Sequence, residues 1–502
     1  MFSSLDVLEQ TLLDRSHLRL RVACPSQEFS AEEMSYGVGR WHSCVRGLWE
    51  VLAVPAEPDL ALVMLQAPAV PTSVIDYLLG LRRLDASAAS DARSRLAMVQ
   101  LDDESPLHLS EKFLTRWVVM DRLKWTVNVA RRMGHTVEGL SSFASSEKVA
   151  QMAELLGIPL LETPPSALHW NGKAGSRQLF RRAGLPHLPG TYRTAHDVDQ
   201  LTDDLAALTL RHGAGTWLVK TDQGFGSGHG NASVEIATSD RDSVLASVKA
   251  KLRPVNPVVP IQKLWDNFVS AGAIVEQLAV SPLGEPLRFP SVALHLSGSA
   301  GSGVVPTIIG THEQIIAADQ SFVGATSPAE HYYRNELVRL ALLAAKELER
   351  VGVRGHASVD FVAVKNRHRL KGWRLFALEV NLRQTGTTCA NRTAMLLTGA
   401  RIRKGRFQTS SGQKLCYATT DNLIRESYRA ISSEMLITAL RARTDLTFSS
   451  SAARGIVPHL WTTMIPFGKV GATAFAQSVA DSVHLQQQFE YLLDELGRQH
   501  GC

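Results

Sequence analysis

Residues 373–382 read WRLFALEVNL and residues 356–364 read HASVDFVAV. Both runs are rich in β-branched and aromatic residues, which predicts strands, and the polar link KNRHRLKG (Lys365 to Gly372) makes them a hairpin. Successive strand side chains face opposite sides. Leu375, Ala377, Glu379 and Asn381 are therefore expected on one face, with Phe376, Leu378, Val380 and Leu382 on the other. Glu379 and Asn381 would project side by side, ~7 Å apart. Asp360 interrupts the neighbouring strand in the same manner. Carboxylates within apolar strands are costly unless a cation compensates them. The oxygen set of Asp360, Glu379 and Asn381 suits Mg²⁺ bound together with nucleotide phosphates. Arg383 follows one residue beyond the strand, where it can clamp a transferring phosphoryl group. The alternative, an edge strand with its charged face in water, fits less well with apolar residues on both faces.

A second signal lies upstream. TWLVKTD (Thr216 to Asp222) reads as a strand carrying Lys220 and runs into QGFGSGHGN (Gln223 to Asn231), with glycine at 224, 226, 228 and 230. Closely spaced glycines let backbone N–H groups approach phosphate oxygens, and a nearby lysine adds a point charge. No Gly-Lys-Ser/Thr follows, so this is not a P-loop, and His229 occupies the place of the third glycine of a dinucleotide fingerprint. A hairpin tip is the other reading of such a run.

Around these motifs the chain alternates strands and helices, as an α/β or α+β enzyme does. ASVEIAT (Ala232 to Thr238) and AGAIVEQLAV (Ala271 to Val280) are expected strands. A short helix is expected to end at Gly184. Ser327, Pro328 and Glu330 resemble a capping box that opens a helix with Leu337, Leu340, Ala341, Ala344 and Leu348 as its apolar stripe, stopped by Gly352. Asp76 to Leu84 and Phe113 to Met133 also carry helical spacing. The double proline in LETPPSALHW and the glycine at 399 are expected boundaries, giving segments 1–165, 166–400 and 401–502, with the chemistry confined to the middle one.

The 502 residues, 45% apolar, exclude a disordered chain, and the formal charge of +5 does not single out nucleic acid. Five scattered cysteines without a CxxC argue against a disulfide framework and structural zinc; a reduced, cytoplasmic setting without a membrane span is expected. Cys389 has no histidine near it in sequence and is expected to be a packed thiol. RIRKGR (Arg401 to Arg406) is expected to be a solvated basic turn.

The order of strand lysine, glycine loop, Glu276-bearing strand and late Asp…Glu-x-Asn set resembles the ATP-grasp fold of carboxylate–amine ligases. PSVALHL (290–296), GTHEQII (310–316), SVDFV (358–362) and ALEVNLRQTGTT (377–388) are similar to successive blocks of the pheganomycin-type peptide ligases. VIDYLLGL (74–81) and PLHLSEKFL (106–114) resemble that group's pre-ATP-grasp domain, and GIVPHLWTTMIPFGKVGATAF (455–475) resembles its C-terminal domain. The resemblance implies an α/β ATP-grasp core over 166–400, with a lid at about 205–280, between a pre-ATP-grasp domain (1–165) and a C-terminal domain (401–502).

It also implies ATP and Mg²⁺ as cofactors. Lys173 and Lys220 would contact phosphates, and the backbone of Glu276, Gln277 and Leu278 would read adenine. Gly224, Gly226, Ser227, Gly228, Gly230 and Asn231 would close over the triphosphate. Asp360, Glu379 and Asn381 would hold the metal, Lys220 and Arg383 would act catalytically, and Ser291, His295, His312, Thr387 and Thr388 would face substrate. The substrates implied are a carboxylic or amino acid and the amine of an amino acid or peptide, with monomer and homodimer both open. A silent ATP-binding scaffold, or a ligase with a thiol or RNA-borne acceptor, are the competing readings. Two departures stand out: Thr385, Gly386, Thr387, Thr388, Cys389 and Ala390 replace the group's Gly-Gly-Thr-Thr-His-Pro, and His229 stands near a usual acidic position.

Overall fold

The computed structural model describes residues 3–35, 37–223, 228–281, 284–297, 306–317, 321–365 and 372–500. The first part of the chain builds a parallel sheet from β1 (Arg19–Cys24), β2 (Leu60–Gln66), β3 (Leu96–Gln100) and β4 (Thr136–Ser142), in the order β3-β2-β1-β4. Helices cover both faces, so β2, LALVMLQ, is buried at every position and reads as an unbroken apolar run. The helical spacing over Phe113 to Met133 resolves into two helices, Leu109–Leu114 and Trp117–Arg132. Between them the Thr115 hydroxyl donates back to the carbonyls of Glu111 and Lys112, competing with helix propagation.

The lid region is an antiparallel sheet, β7-β6-β5-β8, made by β5 (Gly215–Thr221), β6 (Asn231–Ile236), β7 (Arg253–Pro254) and β8 (Ala273–Gln277). Helices Val198–His212, Arg241–Lys251 and Ile261–Ala271 pack on it around a core of its own that includes Trp217, Val219, Val234, Leu205 and Phe268.

The largest sheet joins β9 (Pro290–Leu296), β10 (Thr307–Ile316), β11 (Phe322–Ser327), β12 (Gly355–Lys365), β13 (Trp373–Asn381), β14 (Arg401–Arg403), β15 (Arg406–Gln408), β16 (Lys414–Ile424), β17 (Gly455–His459) and β18 (Lys469–Ala476). Its path runs β13-β12-β9-β10-β11-β16-β15-β14, with β18 on β16 and β17 on β18. Pairing of β11 with β16 therefore carries the sheet across the boundary expected near Gly399. One hydrophobic core likewise mixes early residues such as Val45, Leu62 and Val74 with late ones such as Leu436, Phe475 and Phe489.

The long helix runs Arg334–Arg350, not from Ser327. Its stripe of Leu337, Leu340, Ala341, Ala344 and Leu348 is fully buried as expected. Ser327 instead ends β11, paired with Tyr417, and donates its hydroxyl to the Thr311 carbonyl at 2.8 Å. The Glu330 amide is taken by the Glu313 carboxylate at 2.9 Å. A capping pattern whose members bond across the sheet has nothing left for a helix start. Among the described residues no helix is long and apolar enough to cross a membrane.

Candidate active site

The floor of the site is the β12–β13 hairpin. Residues 357, 359, 361 and 363 of β12 point into the core under the sheet, leaving Ser358, Asp360 and Val362 on the open side. On β13 strict alternation fails. The register slips so that Asp360 faces Glu379 while Phe361 already faces Ala377, a bulge that places both Leu378 and Glu379 opposite one residue. Leu375, Ala377, Val380 and Leu382 consequently form core, whereas Leu378 and Glu379 line the open cavity and Asn381 follows on the same side. The expected grouping of Leu375 and Ala377 with Glu379, and of Leu378 with Val380, is thus corrected by one extra residue.

Asp360 accepts from the Ser291 hydroxyl at 2.5 Å and from the Asn381 amide at 3.0 Å. The Asn381 oxygen in turn accepts from Arg383 at 2.9 Å. Burial, reinforced by repulsion from Glu379, pushes the Asp360 carboxyl up to about 7. Two acids held face to face at that cost form a donor set that a hard cation would relieve. Among the described residues no group of three or more His, Cys, Asp or Glu converges. The two carboxylates, with the Asn381 oxygen if it turns from Arg383, could hold an ion such as Mg²⁺, which normally keeps part of its shell for phosphates and water.

Next to this floor lies a cavity of about 230 Å³. Leu188, Leu218, Phe289, Val362 and Leu378 give it apolar walls suited to a purine, and Lys173, Lys220, Asp360 and Glu379 give it a polar end. Lys173 opens helix Lys173–Ala183, whose first turn is fixed by Asp222: its carboxylate accepts from the Ala174 amide at 2.7 Å, and a Cβ at Gly172 would sit 2.6 Å from that carboxylate. Lys220 is ion-paired with Glu276, which also binds Arg177 at 3.0 Å; Glu276 and the Arg177 side chain are almost fully buried. Glu276 is therefore spent on positioning Lys220.

The backbone amides expected to read adenine are engaged as well. The Gln277 N–H donates to Pro189 at 2.8 Å and the Leu278 N–H to Thr216 at 3.0 Å. Both residues line the cavity, and it is their N–H groups, not their carbonyls, that these two bonds engage. Gly228 and Asn231 also line the cavity, and the Gly230 carbonyl accepts from the Thr221 amide at 2.8 Å. Gly224, Gly226 and Ser227 lie outside the described residues.

A second cavity, about 660 Å³, shares Asp360, Glu379 and Gln314 with the first. Ser291, His312, Asn381, Arg383 and Thr387 line it. His312 is buried, which pushes its imidazole down to about 3, and it contacts the Thr387 hydroxyl at 3.3 Å. His295 and Thr388 are not brought into either lining. His295 packs against His356, 5.0 Å between ring centroids, and the Thr388 hydroxyl accepts from the Thr385 amide at 2.9 Å at the start of helix Gly386–Thr398. Cys389 is buried in that helix with its thiol pushed up to about 12 by burial, which suits a packed thiol.

The lining of this cavity is not confined to 166–400. Phe29, Arg40, Arg46 and Phe143 reach it from the first part of the chain, and Asp421 and Lys469 from the last. The sequence signal for the late pair is weak. Lys469 is the one charged residue of the otherwise mostly apolar strand KVGATAFA, and Asp421 is a buried carboxylate in the more polar strand KLCYATTDNLI.

No family model matches the chain. It is 25% identical over 438 residues, 84% of its length and 83% of the relative's, to the L-propargylglycine–L-glutamate ligase of Streptantibioticus cattleyicolor. In structure it is similar to the biotin carboxylase of Campylobacter jejuni, solved as a complex with an ATP analogue, with a TM-score of 0.53 at 11% identity over 93% of this chain and 89% of that one. It is also similar to the biotin carboxylase domain of the Hydrogenobacter thermophilus 2-oxoglutarate carboxylase, solved with MgADP, with a TM-score of 0.51 at 13% identity over 94% and 89% of the two chains. The chain has the ATP-grasp fold.

Proposed function

We propose that this ATP-grasp chain is an ADP-forming ligase that joins the carboxylic acid of one substrate to the amine of an amino acid or peptide, in the assembly of a peptide natural product. The observation that carries the reading is the shared lining of the two cavities. Asp360 and Glu379 line both a purine-sized pocket that also carries Lys173 and Lys220 and a larger polar pocket that also carries Arg383. A chain built this way can hold ATP on one side of a transferring phosphoryl group and an acid on the other. The similarity to a ligase that forms an amide between two amino acids supports the same class.

In this reading Lys173 and Lys220 bind phosphate oxygens, with Lys220 held in place by Glu276. Asp360, Glu379 and Asn381 would hold Mg²⁺, which supplies charge neutralisation across the phosphates when bound. Arg383 orients the acid and stabilises charge on the transferring group. The acid oxygen attacks the γ-phosphorus, the bond to the β-phosphate oxygen breaks, and ADP and an acyl phosphate result. The amine then attacks the acyl carbon, the carbon–oxygen bond to phosphate breaks, and amide, inorganic phosphate and one proton leave. Excluding water by closing the 205–280 lid protects the acyl phosphate from hydrolysis. The segments 1–165, 166–400 and 401–502 act as one catalytic unit in this proposal.

Coupled ADP release over a panel of acids and amines, with mass spectrometry of products and hydroxylamine trapping of the intermediate, tests it. Acid-dependent ADP and a hydroxamate are expected, both lost in Glu379→Ala. Acid-dependent AMP would overturn the mechanism.

A further inference from the structure

The larger cavity carries positive charge that neither ATP nor the reacting acid accounts for. Arg40, Arg46 and Lys469 line it and are absent from the nucleotide pocket. Two carboxylates of the same lining stand against the three cations, Glu33 near Arg40 and Asp421, which binds Arg46 at 2.5 Å and His459 at 2.6 Å, so one positive charge is left over. Arg40 donates to the Glu33 carbonyl at 2.6 Å and Lys469 to the Val38 carbonyl at 3.1 Å. Such bonds satisfy N–H groups without cancelling charge. The Arg46 Nε is buried without a hydrogen-bond partner among the described residues, and Lys469 is only 7% exposed. Phe29 lies beneath both Arg40, at 5.5 Å, and Arg383, at 5.1 Å, and so links this cluster to the phosphoryl-transfer end.

Buried cations short of counter-charge call for an anion. The triphosphate belongs to the other pocket, and the reacting carboxylate belongs beside Arg383 and the facing acids. The remaining anion is a carboxylate that does not react. An acid substrate spends its α-carboxylate in the reaction, whereas an amino acid serving as the amine keeps one next to its nucleophile. Resting on the ligase reading above, we propose that Arg40, Arg46 and Lys469 form the subsite for the free carboxylate of the amine-bearing substrate, and that this subsite makes the enzyme select acceptors with a free C-terminal carboxylate. Positions far apart in the chain thereby set acceptor choice, and the product keeps a free carboxylate end.

The test compares matched acceptors, L-alanine with L-alaninamide and L-glutamate with its α-amide, by ADP release and amide formation in the full-length protein, Lys469→Met and Arg40→Gln. One charge-assisted hydrogen bond corresponds to roughly 10- to 100-fold in affinity. The wild type should therefore favour the free acid by at least about tenfold, mainly through KM. Each substitution should raise the KM of the free acid and collapse the preference, with the KM for ATP unmoved, and Lys469→Arg should restore it. Equal use of acid and amide by the wild type overturns the inference, as does a variant that weakens both acceptors alike with the preference intact. Either result leaves ligation standing. Absence of ADP release with every acid and amine pair overturns the ligase reading itself and this inference with it.

Discussion

Replacing Glu276 by Gln keeps the side-chain volume and removes one charge from between two cations. Glu276 binds Arg177 at 3.0 Å and is ion-paired with Lys220, and the Arg177 side chain is 1% exposed and that of Glu276 2%. Arg177 has further acceptors in the Thr191 and Leu188 carbonyls, each at 2.7 Å, so it stays anchored. Among the described residues Lys220 has no other acceptor of that kind, and a Gln amide nitrogen would present donor to donor on one side. Two charge-assisted bonds at ~1.5–3 kcal/mol each give a loss of about 3–6 kcal/mol, which overlaps the ~3–5 kcal/mol for stripping one partner from a buried pair. The cost falls on the β5–β8 pairing that joins Leu218 to Glu276. Hydrogen exchange of amides in 215–221 and 273–277 should accelerate by more than about a hundredfold, and ATP should bind more weakly. Lys220→Met should cost less than Glu276→Gln, and the double variant should recover part of the loss. Exchange and ATP affinity within twofold of wild type would refute a positioning role for Glu276.

Other expectations follow from particular contacts. Gly190→Ala should weaken ATP binding and lower stability by over ~1 kcal/mol in chemical denaturation, because its Cβ would run into the Val275 carbonyl and crowd Arg177. Cys389→Ser should retain turnover, and the wild-type thiol should resist alkylation in the folded state, since burial holds it protonated. Lys469 is pushed down to about 8 by burial, with Arg46 and Arg40 lowering it further and Asp421 opposing them. Its charge is present below that pH and lost above it, so acceptor KM should climb as pH rises through about 8, and Lys469→Arg should abolish the climb.

The chemistry-bearing strands were legible because a carboxylate in an apolar run is expensive wherever it occurs, and Asp360 and Glu379 do face each other. The bulge at Leu378 and Glu379 was not, since a two-for-one pairing depends on the partner strand and leaves no trace in a period-2 pattern. The start of the Arg334 helix was misread because Ser327 and Glu330 bond to β10, a contact made only once the sheet exists. Arg40, Arg46 and Lys469 are hidden for a different reason: two cations six residues apart near the start of the chain meet a third more than four hundred residues later only once the chain has folded. Asp421 stands beside Thr419, Thr420 and Asn422 in a half-polar strand, so the rule that finds Asp360 does not single it out.

Central to this account is transfer of a phosphoryl group from ATP to a substrate carboxylate. Supplying the acid with ¹⁸O in its carboxyl group and analysing the phosphate released with each amide tests this directly. One ¹⁸O atom in inorganic phosphate, with ADP unlabelled, is the predicted result. Label appearing in AMP, or amide formed with unlabelled phosphate, would contradict it.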